Sequence, residues 1–265
     1  MTGWVCLMYH DVTLEPASER SAAYFSVPVQ AFATQLELLR SAGYTGRALG
    51  DFQATPLPPR AVGISFDDGD LGQYRHAFPE LAKRGMTATF FVTTDWVGRP
   101  GHVSWEGLRE MRAAGMSVQS HTCSHPFLSE LSQAEVQREL RTSREVLNHH
   151  LDQETDTLAL PGGDFPRGGP LVFRRAGYRI VATSHWGVNS ARPGAIDEIA
   201  FVHRCTVRGE PPREEFEAVV SGNRWLGARR RVREIALNTV RATLTPTRYQ
   251  RWRRAFLRTT HSTKS

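Results

Sequence analysis

Two short segments of the sequence carry side chains that could bind a metal ion and move a proton. Segment 64–69 contains the adjacent carboxylates Asp67 and Asp68, and segment 120–125 contains two imidazoles four residues apart, His121 and His125. Two histidines and one carboxylate leave coordination positions open, as a catalytic site requires and a closed structural site does not. The second carboxylate can then serve as a base. Together the segments predict a catalytic site for a divalent metal.

Each segment also has a purely structural interpretation. Asp-Asp-Gly after a β-like run is typical of a turn, and a His-x3-His pair also occurs as a hydrogen-bonded pair on a surface or in a core. Both segments, however, follow apolar strand-like runs, at 61–66 and 116–120. Where a strand gives way to a loop at Gly69, both carboxylates can reach one pocket. The combination therefore favours the metal site.

The two segments resemble the first two motifs of the polysaccharide deacetylases, carbohydrate esterase family 4, which share the NodB homology region. The resemblance runs from about residue 4 to about residue 208. It implies that Asp67 is the general base and that Asp68, His121 and His125 bind the metal. Zinc is the expected ion, although cobalt and nickel suit the same ligands.

The third family motif, Arg-x-Pro-x-Gly, corresponds to segment 159–163, where Ala159 replaces the arginine. In relatives that arginine orients the base, so either another group holds Asp67 here or the pKa of Asp67 is less controlled. The resemblance places Pro161 and Gly162 at the substrate, with the Gly162 N–H in the oxyanion site. Pro-Gly-Gly is also a common turn.

The general acid is expected at the start of the chain. The usual C-terminal Leu-x-His motif is not evident, but segment 5–11 resembles the permuted branch that deacetylates poly-N-acetylglucosamine, whose N-terminal strand bears the acid. His10 is therefore the predicted general acid, unless it only caps a buried first strand. His185 and His203 are the alternatives, and Trp186 is a candidate wall of the sugar site.

The resemblance implies hydrolysis of a carbon–nitrogen bond other than a peptide bond. A divalent metal lowers the pKa of bound water from ~15.7 to ~7, so that hydroxide becomes available to attack an amide. The expected reaction is de-N-acetylation of an N-acetylated amino sugar in a glycan or glycan precursor, with release of acetate. The alternatives are an amidase acting on a small N-acylated metabolite and a catalytically silent glycan-binding protein.

Alternating apolar runs and helical patterns predict an α/β fold, and the resemblance specifies a distorted (β/α)7 barrel. A capping box at Ser132 and Glu135 marks the start of the longest helix. The motifs then fall at the carboxyl ends of strands, where barrel enzymes build active sites. Strands are predicted at 4–9, 62–66, 87–93, 116–120, 157–160 and 179–183, and helices at 29–42, 73–84, 105–114, 133–151 and 169–176.

Charge divides the chain into a predicted barrel domain, 1–223, and a basic helical C-terminal tail, 224–265. The tail has 12 Lys or Arg residues against one acid, Glu234. Near-helical spacing at 227–244 predicts a basic amphipathic helix, which either packs on the barrel or is attracted to an anionic membrane surface or a lipid-linked precursor. Nucleic acid is not an expected partner, because no reader motif accompanies the charge.

The sequence predicts a cytoplasmic protein, with peripheral association at the inner membrane as an extension of that prediction. Met1 leads almost directly into the first apolar run, without a basic region or a cleavable apolar stretch. Three cysteines without regular spacing suit a reducing compartment better than a disulfide framework. Cys123, between the two histidines of the second motif, is expected to point away from the metal.

Overall fold

The structure is a computed structural model that describes residues 3–14, 25–53, 59–190, 195–196 and 199–223. The predicted tail, 224–265, and its amphipathic helix at 227–244 lie outside these residues and stay predictions.

Strands and helices alternate along most of the described chain, as the sequence predicts. The strands are β1 (Gly3–Trp4), β2 (Cys6–Tyr9), β3 (Asp11–Thr13), β4 (Ser26–Pro28), β5 (Thr45–Arg47), β6 (Ala61–Phe66), β7 (Thr89–Val92), β8 (Ser117–Ser120), β9 (Thr157–Ala159), β10 (Ile180–Ala182), β11 (Asn189–Ser190), β12 (Ala195–Ile196), β13 (Ile199–Val202) and β14 (Cys205–Thr206). The α-helices are α1 (Val29–Ser41), α2 (Phe78–Ala82), α3 (Trp105–Ala113), α4 (Gln133–Leu151), α5 (Leu171–Arg175) and α6 (Arg213–Val220).

The central sheet curls into a barrel. Its parallel strands follow the order β13-β10-β9-β8-β7-β6-β2-β14, and β5 pairs with β6 to one side. Only His203 and Arg204 separate β13 from β14, so Val202 and Cys205 lie at most ~11 Å apart. The two ends of the sheet are therefore pieces of one broken strand, and the predicted distorted seven-stranded α/β barrel is confirmed.

The strands are apolar on both faces because both faces are covered. All six residues of β6 are buried, as expected for a parallel strand between a barrel interior and a helical layer. One hydrophobic cluster combines Phe91 with the small side chains of Ala159, Ala182 and Ala200. Two other clusters join the sheet to the helices.

Helix α4 has the predicted bounds, and its capping box is present. The Oγ of Ser132 accepts a hydrogen bond from the Glu135 N–H, and Glu135 Oε2 accepts one from the Ser132 N–H at 2.8 Å. These bonds satisfy donors that the first turn of a helix leaves unpaired.

The predicted helix at 73–84 has a more complex form. It begins as a π-helical turn, Gln73–Ala77, and continues as α2. Pro79 has no N–H to donate to the preceding turn, and the wider turn before it accommodates that loss.

Within the described part of the chain, no helix is both long enough and apolar enough to span a membrane.

Candidate active site

The predicted metal ligands meet at one edge of the barrel. Asp67 and Asp68 directly follow β6, and His121 directly follows β8. The Asp67 N–H donates to the Tyr9 carbonyl at 3.1 Å, and the His121 N–H donates to the Val92 carbonyl at 2.9 Å. Strand β7 pairs with both β6 and β8, and because parallel strands end at the same edge, the two motifs lie at that edge on either side of β7.

The spacing of Asp68, His121 and His125 fits a metal ion. Asp68 Oδ1 lies 3.4 Å from the Nε2 atom of each histidine. Two donors that each bind one zinc ion at about 2.1 Å in tetrahedral geometry are themselves about 3.4 Å apart. Asp68 Oδ1 is buried and has no hydrogen-bond partner in the described structure, so it is available as a ligand. The three residues therefore form a candidate site for a divalent ion.

Hydrogen bonding and burial prepare the two imidazoles to bind metal. The Nδ1 of His121 lies 3.0 Å from the Ala159 carbonyl, and donation to that oxygen leaves Nε2 facing Asp68. Burial lowers the pKa of His121, but the carboxylates of Asp67 and Asp68 outweigh burial and hold that pKa above its ordinary value, so a metal ion would replace a proton at Nε2. Burial, with the nearby His121, lowers the pKa of His125 to about 4, so His125 is neutral at pH 7. A neutral imidazole is the form that coordinates a metal.

Asp67 is held by an arginine that the sequence motifs do not reveal. The guanidinium of Arg204 donates to both carboxylate oxygens, from Nη1 to Oδ1 at 2.5 Å and from Nη2 to Oδ2 at 2.8 Å. Burial disfavours the ionised carboxylate, but the charges of Arg204 and His121 outweigh it and hold the pKa of Asp67 below its ordinary value. Another group therefore takes the place of the missing motif arginine.

The signal for Arg204 in the sequence is weak. It is one charged residue inside the apolar run 199–207, and its side chain is fully buried. The guanidinium lies over the ring of Phe91, 5.2 Å from its centroid. Ala159, where the family motif has arginine, is buried and belongs to the same hydrophobic cluster as Phe91.

The structure brings His10 to the same edge. It directly follows β2, which pairs with β6, and the charges of Asp68 and Asp67 both act on its imidazole. Burial is the larger effect and lowers the pKa of His10 below its ordinary value, while the two carboxylates favour protonation. Gln73 fixes this arrangement, because its Nε2 donates to the carbonyls of both His10, at 3.0 Å, and Asp67, at 2.5 Å.

The two alternative histidines make other contacts. The His185 carbonyl accepts the N–H of Arg204 at 3.0 Å. His203 bonds through its backbone to the side chain of Asn189, at 2.8 and 2.9 Å.

The predicted substrate residues are divided between the edge and the core. Pro161 and Gly162 follow β9 in a short 3₁₀ turn, at the edge that carries the metal ligands, and Gly162 has a φ of 60°. Trp186 is 8% exposed and belongs to the largest hydrophobic cluster, with Val207 and Cys205. Its role as a wall of the sugar site stays a prediction.

Sequence reasoning missed an aromatic ring that contacts His125 and a buried carboxyl group close to Asp68. The ring of Trp96 stacks on His125 with centroids 5.1 Å apart and contacts His102 at 5.2 Å. Nearby, burial together with the charge of Asp68 raises the pKa of Asp70 to about 8.

Known proteins resemble this chain in sequence and in fold. Residues 54–181 match the family model described as polysaccharide deacetylase, over a segment that includes Asp67, Asp68, His121 and His125. This segment, just under half of the chain, is similar to the polysaccharide deacetylases.

Two curated relatives illustrate the match. YxkH of Bacillus subtilis is 28% identical over 193 residues, which cover 71% of this chain and 67% of YxkH. The poly-beta-1,6-N-acetyl-D-glucosamine N-deacetylase of Staphylococcus aureus (strain MRSA252) is 27% identical over 181 residues, which cover 62% of each chain. The matched segment therefore spans about two thirds of the length of these relatives.

Solved structures share the fold. The deacetylase PplD of Streptococcus pyogenes, determined with acetate, aligns at a TM-score of 0.73 with 25% identity, over 83% of this chain and 98% of its own. IcaB of Ammonifex degensii aligns at a TM-score of 0.68 with 29% identity, over 85% of this chain and 97% of its own.

Proposed function

We propose that this protein is a metal-dependent de-N-acetylase that hydrolyses the acetamide of an N-acetylated amino sugar in a glycan or glycan precursor and releases acetate. The observation that carries the proposal is the arginine-paired carboxylate of Asp67 beside the Asp68–His121–His125 triad. The S. aureus relative, named for poly-beta-1,6-N-acetyl-D-glucosamine, suggests a β-1,6-linked N-acetylglucosamine polymer as the substrate class.

The metal would be held by Asp68, His121 and His125. We propose zinc first, with cobalt or nickel as alternatives, since imidazole and carboxylate ligands suit all three. When bound, the ion supplies Lewis acidity and lowers the pKa of a water molecule toward neutrality.

Asp67 is the proposed general base. Its carboxylate must be ionised to take a proton from the attacking water, and the Arg204 guanidinium favours that ionised form. The bidentate pair also fixes the plane of the carboxylate, which leaves little conformational freedom to be lost during reaction.

His10 is the proposed general acid, and Gly162 the proposed oxyanion donor. Attack on the acetamide carbonyl places negative charge on its oxygen, which the Gly162 N–H would stabilise, with Pro161 shaping the turn. The amine leaves readily only when protonated, and His10 would give its proton to that nitrogen. A positioned acid of this kind contributes about 10²- to 10⁴-fold.

The proposal is tested by acetate release from β-1,6-linked N-acetylglucosamine oligomers, with protein loaded separately with zinc, cobalt or nickel. We expect Asp67→Asn to abolish release and His10→Ala to reduce it at least 100-fold. Asp152→Asn and His149→Ala, which change exposed residues on or just after helix α4, are the matched controls and should leave release unchanged.

Other outcomes would point to different functions. Acetate release from small N-acetylated sugars but not from oligomers would indicate an amidase for small metabolites. Metal binding without release from any amide would indicate a glycan-binding protein and would refute the deacetylase.

The proposal includes a location in the cytoplasm, with peripheral association at the inner membrane. The three cysteines are all free thiols, which is consistent with a reducing cytoplasm, and the basic tail would attract an anionic inner-membrane surface or a lipid-linked precursor.

A further inference from the structure

The loop between the two metal-binding histidines has an unfavourable backbone conformation. Thr122 has a φ of 67° and His125 a φ of 62°, both in the left-handed region that side chains with a Cβ avoid. For a β-branched residue such as Thr122 this conformation is rare. Such a loop persists only when surrounding contacts hold it, so the contacts that hold it determine where the two imidazoles lie.

Glu139 supplies three of these contacts from helix α4. Its Oε2 accepts the backbone N–H groups of Cys123 at 3.0 Å and Ser124 at 2.9 Å, and its Oε1 accepts the Ser124 hydroxyl at 2.7 Å. An ionised carboxylate is purely an acceptor and makes strong, short bonds of this kind. One side chain therefore fixes the middle of the loop.

The same face of α4 also fixes the start of the loop. Ser143, one helical turn after Glu139, lies 2.9 Å from the hydroxyl of Ser120, and that hydroxyl accepts the Thr122 N–H at 3.1 Å. On the opposite side, the Asp95 N–H donates to the Cys123 carbonyl at 2.9 Å. Within this set, Glu139 provides the ionisable side chain that bonds the loop backbone directly.

Helix α4 does not need Glu139 in order to fold or pack. Its first turn is closed by the capping box of Ser132 and Glu135, and Val136, Leu140, Leu147 and Leu151 bury its apolar face. The three bonds of Glu139 are directed at the loop instead.

We propose that Glu139 is a positioning residue of the metal centre, which holds residues 122–125 in the conformation that presents His121 and His125 to one ion. The inference rests on the proposed role of the triad as a metal site. In this arrangement the carboxylate acts through the loop backbone and touches neither the metal nor the substrate.

The test is the zinc dissociation constant of the full chain, measured by competition with a chromophoric chelator. Outer partners of metal ligands typically contribute 10- to 100-fold in affinity, so we expect Glu139→Ala to weaken zinc binding by about that factor. Glu139→Gln keeps a carbonyl oxygen that can accept both N–H groups, and its affinity should lie between those of Glu139→Ala and the original protein. The visible spectrum of the cobalt-loaded Glu139→Ala protein should also change, because its ligands are less well oriented.

The matched control is Glu145→Ala, which removes an exposed carboxylate from the same helix and should leave zinc affinity unchanged. Unchanged zinc affinity in folded Glu139→Ala, or an equal loss in Glu145→Ala, would overturn the proposal. If Glu139→Ala does not fold, Glu139→Gln decides, with unchanged affinity and an unchanged cobalt spectrum counting against the role.

The outcomes separate this inference from the proposed function. If the protein binds zinc but releases no acetate, the deacetylase is refuted while Glu139 is still judged by zinc affinity. If the protein with its original sequence does not bind zinc, cobalt or nickel, both proposals fail.

Discussion

The pair formed by Arg204 and Asp67 is the dominant electrostatic feature of the candidate site. Both side chains are almost completely buried, so each charge depends on the other for the stabilisation that water would otherwise supply. Arg204, which lies between β13 and β14 where the barrel closes, thereby lowers the pKa of Asp67 at the end of β6.

Replacement of Arg204 by methionine tests this dependence. Breaking a buried ion pair on one side costs about 3–5 kcal/mol, so we expect the free energy of unfolding to fall by about that amount. Without the guanidinium the pKa of Asp67 rises, and the acidic limb of the kcat/KM profile should move to higher pH. Urea denaturation and acetate-release kinetics measure the two effects.

The double variant Asp67→Asn/Arg204→Met is the control for the lost partner. It leaves no unpaired charge and should be more stable than Arg204→Met alone. A double variant at least as unstable as the single one would contradict the argument.

Asp70→Asn tests the pH dependence of the buried carboxyl group close to the candidate metal ligand Asp68. Burial, with the charges of Asp68 and Asp11, raises the pKa of Asp70 to about 8, whereas in the unfolded chain it is about 3.9. Between these values the unfolded state binds fewer protons, so the stability of the metal-free protein decreases as pH rises. Asp70→Asn removes this loss, and its stability relative to the original protein should increase from about pH 4 to about pH 8.

Thermal unfolding at several pH values measures the effect, with the exposed Asp152→Asn as control. Bound zinc should reduce the difference, because a cation next to Asp68 favours ionised Asp70. A stability difference for Asp70→Asn that is constant with pH would disprove the assignment.

Sequence reasoning reached the candidate metal ligands but not the partner of the base. Short motifs that directly follow apolar strands contain Asp68, His121 and His125. Local sequence spacing is therefore enough to identify these three residues as candidate ligands. Arg204 is 137 residues from Asp67, and only closure of the barrel brings them together. The Glu139 bonds were missed for a related reason, since an ordinary helix glutamate gives no local signal of the loop that it contacts.

At the scale of elements, long periodic segments could be predicted and short ones could not. Helix α4 has the predicted bounds because 19 residues of amphipathic pattern follow a capping box. Strands β11 to β14 have two to four residues each, too few for an alternating pattern, and their pairing depends on the rest of the barrel. The sequence predicted a helix at 73–84 but not its π turn, which depends on how the backbone accommodates the missing N–H of Pro79.

Gln73→Ala tests whether the π turn holds β2, which precedes the proposed acid His10, against β6, which precedes the proposed base Asp67. The Nε2 of Gln73 holds the backbones of His10 and Asp67 together. Without this side chain, each of the two carbonyls loses one hydrogen-bond donor. We expect kcat/KM to fall about 10-fold or more, because small displacements of reacting groups are costly, with a loss of stability of about 1–3 kcal/mol.

Gln153→Ala is the matched control, since Gln153 also donates from Nε2 to a strand carbonyl, that of Val118, at 2.7 Å. It should lower stability without a comparable fall in kcat/KM. Equal kinetic losses in the two variants would show that Gln73 has no special connection with the site.

At the scale of the whole molecule, the predicted barrel domain and the predicted tail differ in charge. Residues 1–223 contain 21 Lys or Arg residues against 26 acids, so the excess of positive charge lies entirely in 224–265. The site residues all lie in the first part, and the last described helix, α6, ends at Val220. One truncation can therefore remove the excess of basic residues and leave all of the candidate site residues in the chain.

A chain ending at Asn223 should keep its kcat/KM for short soluble oligomers and lose binding to anionic vesicles. Basic residues contribute about 1 kcal/mol each near an anionic surface, and salt screens this attraction. Vesicle sedimentation of the full chain at low and high salt, with neutral vesicles as control, measures the binding. Equal binding by the truncated chain would place the membrane contact on the barrel, whereas loss of activity on soluble oligomers would mean that the barrel domain requires the tail.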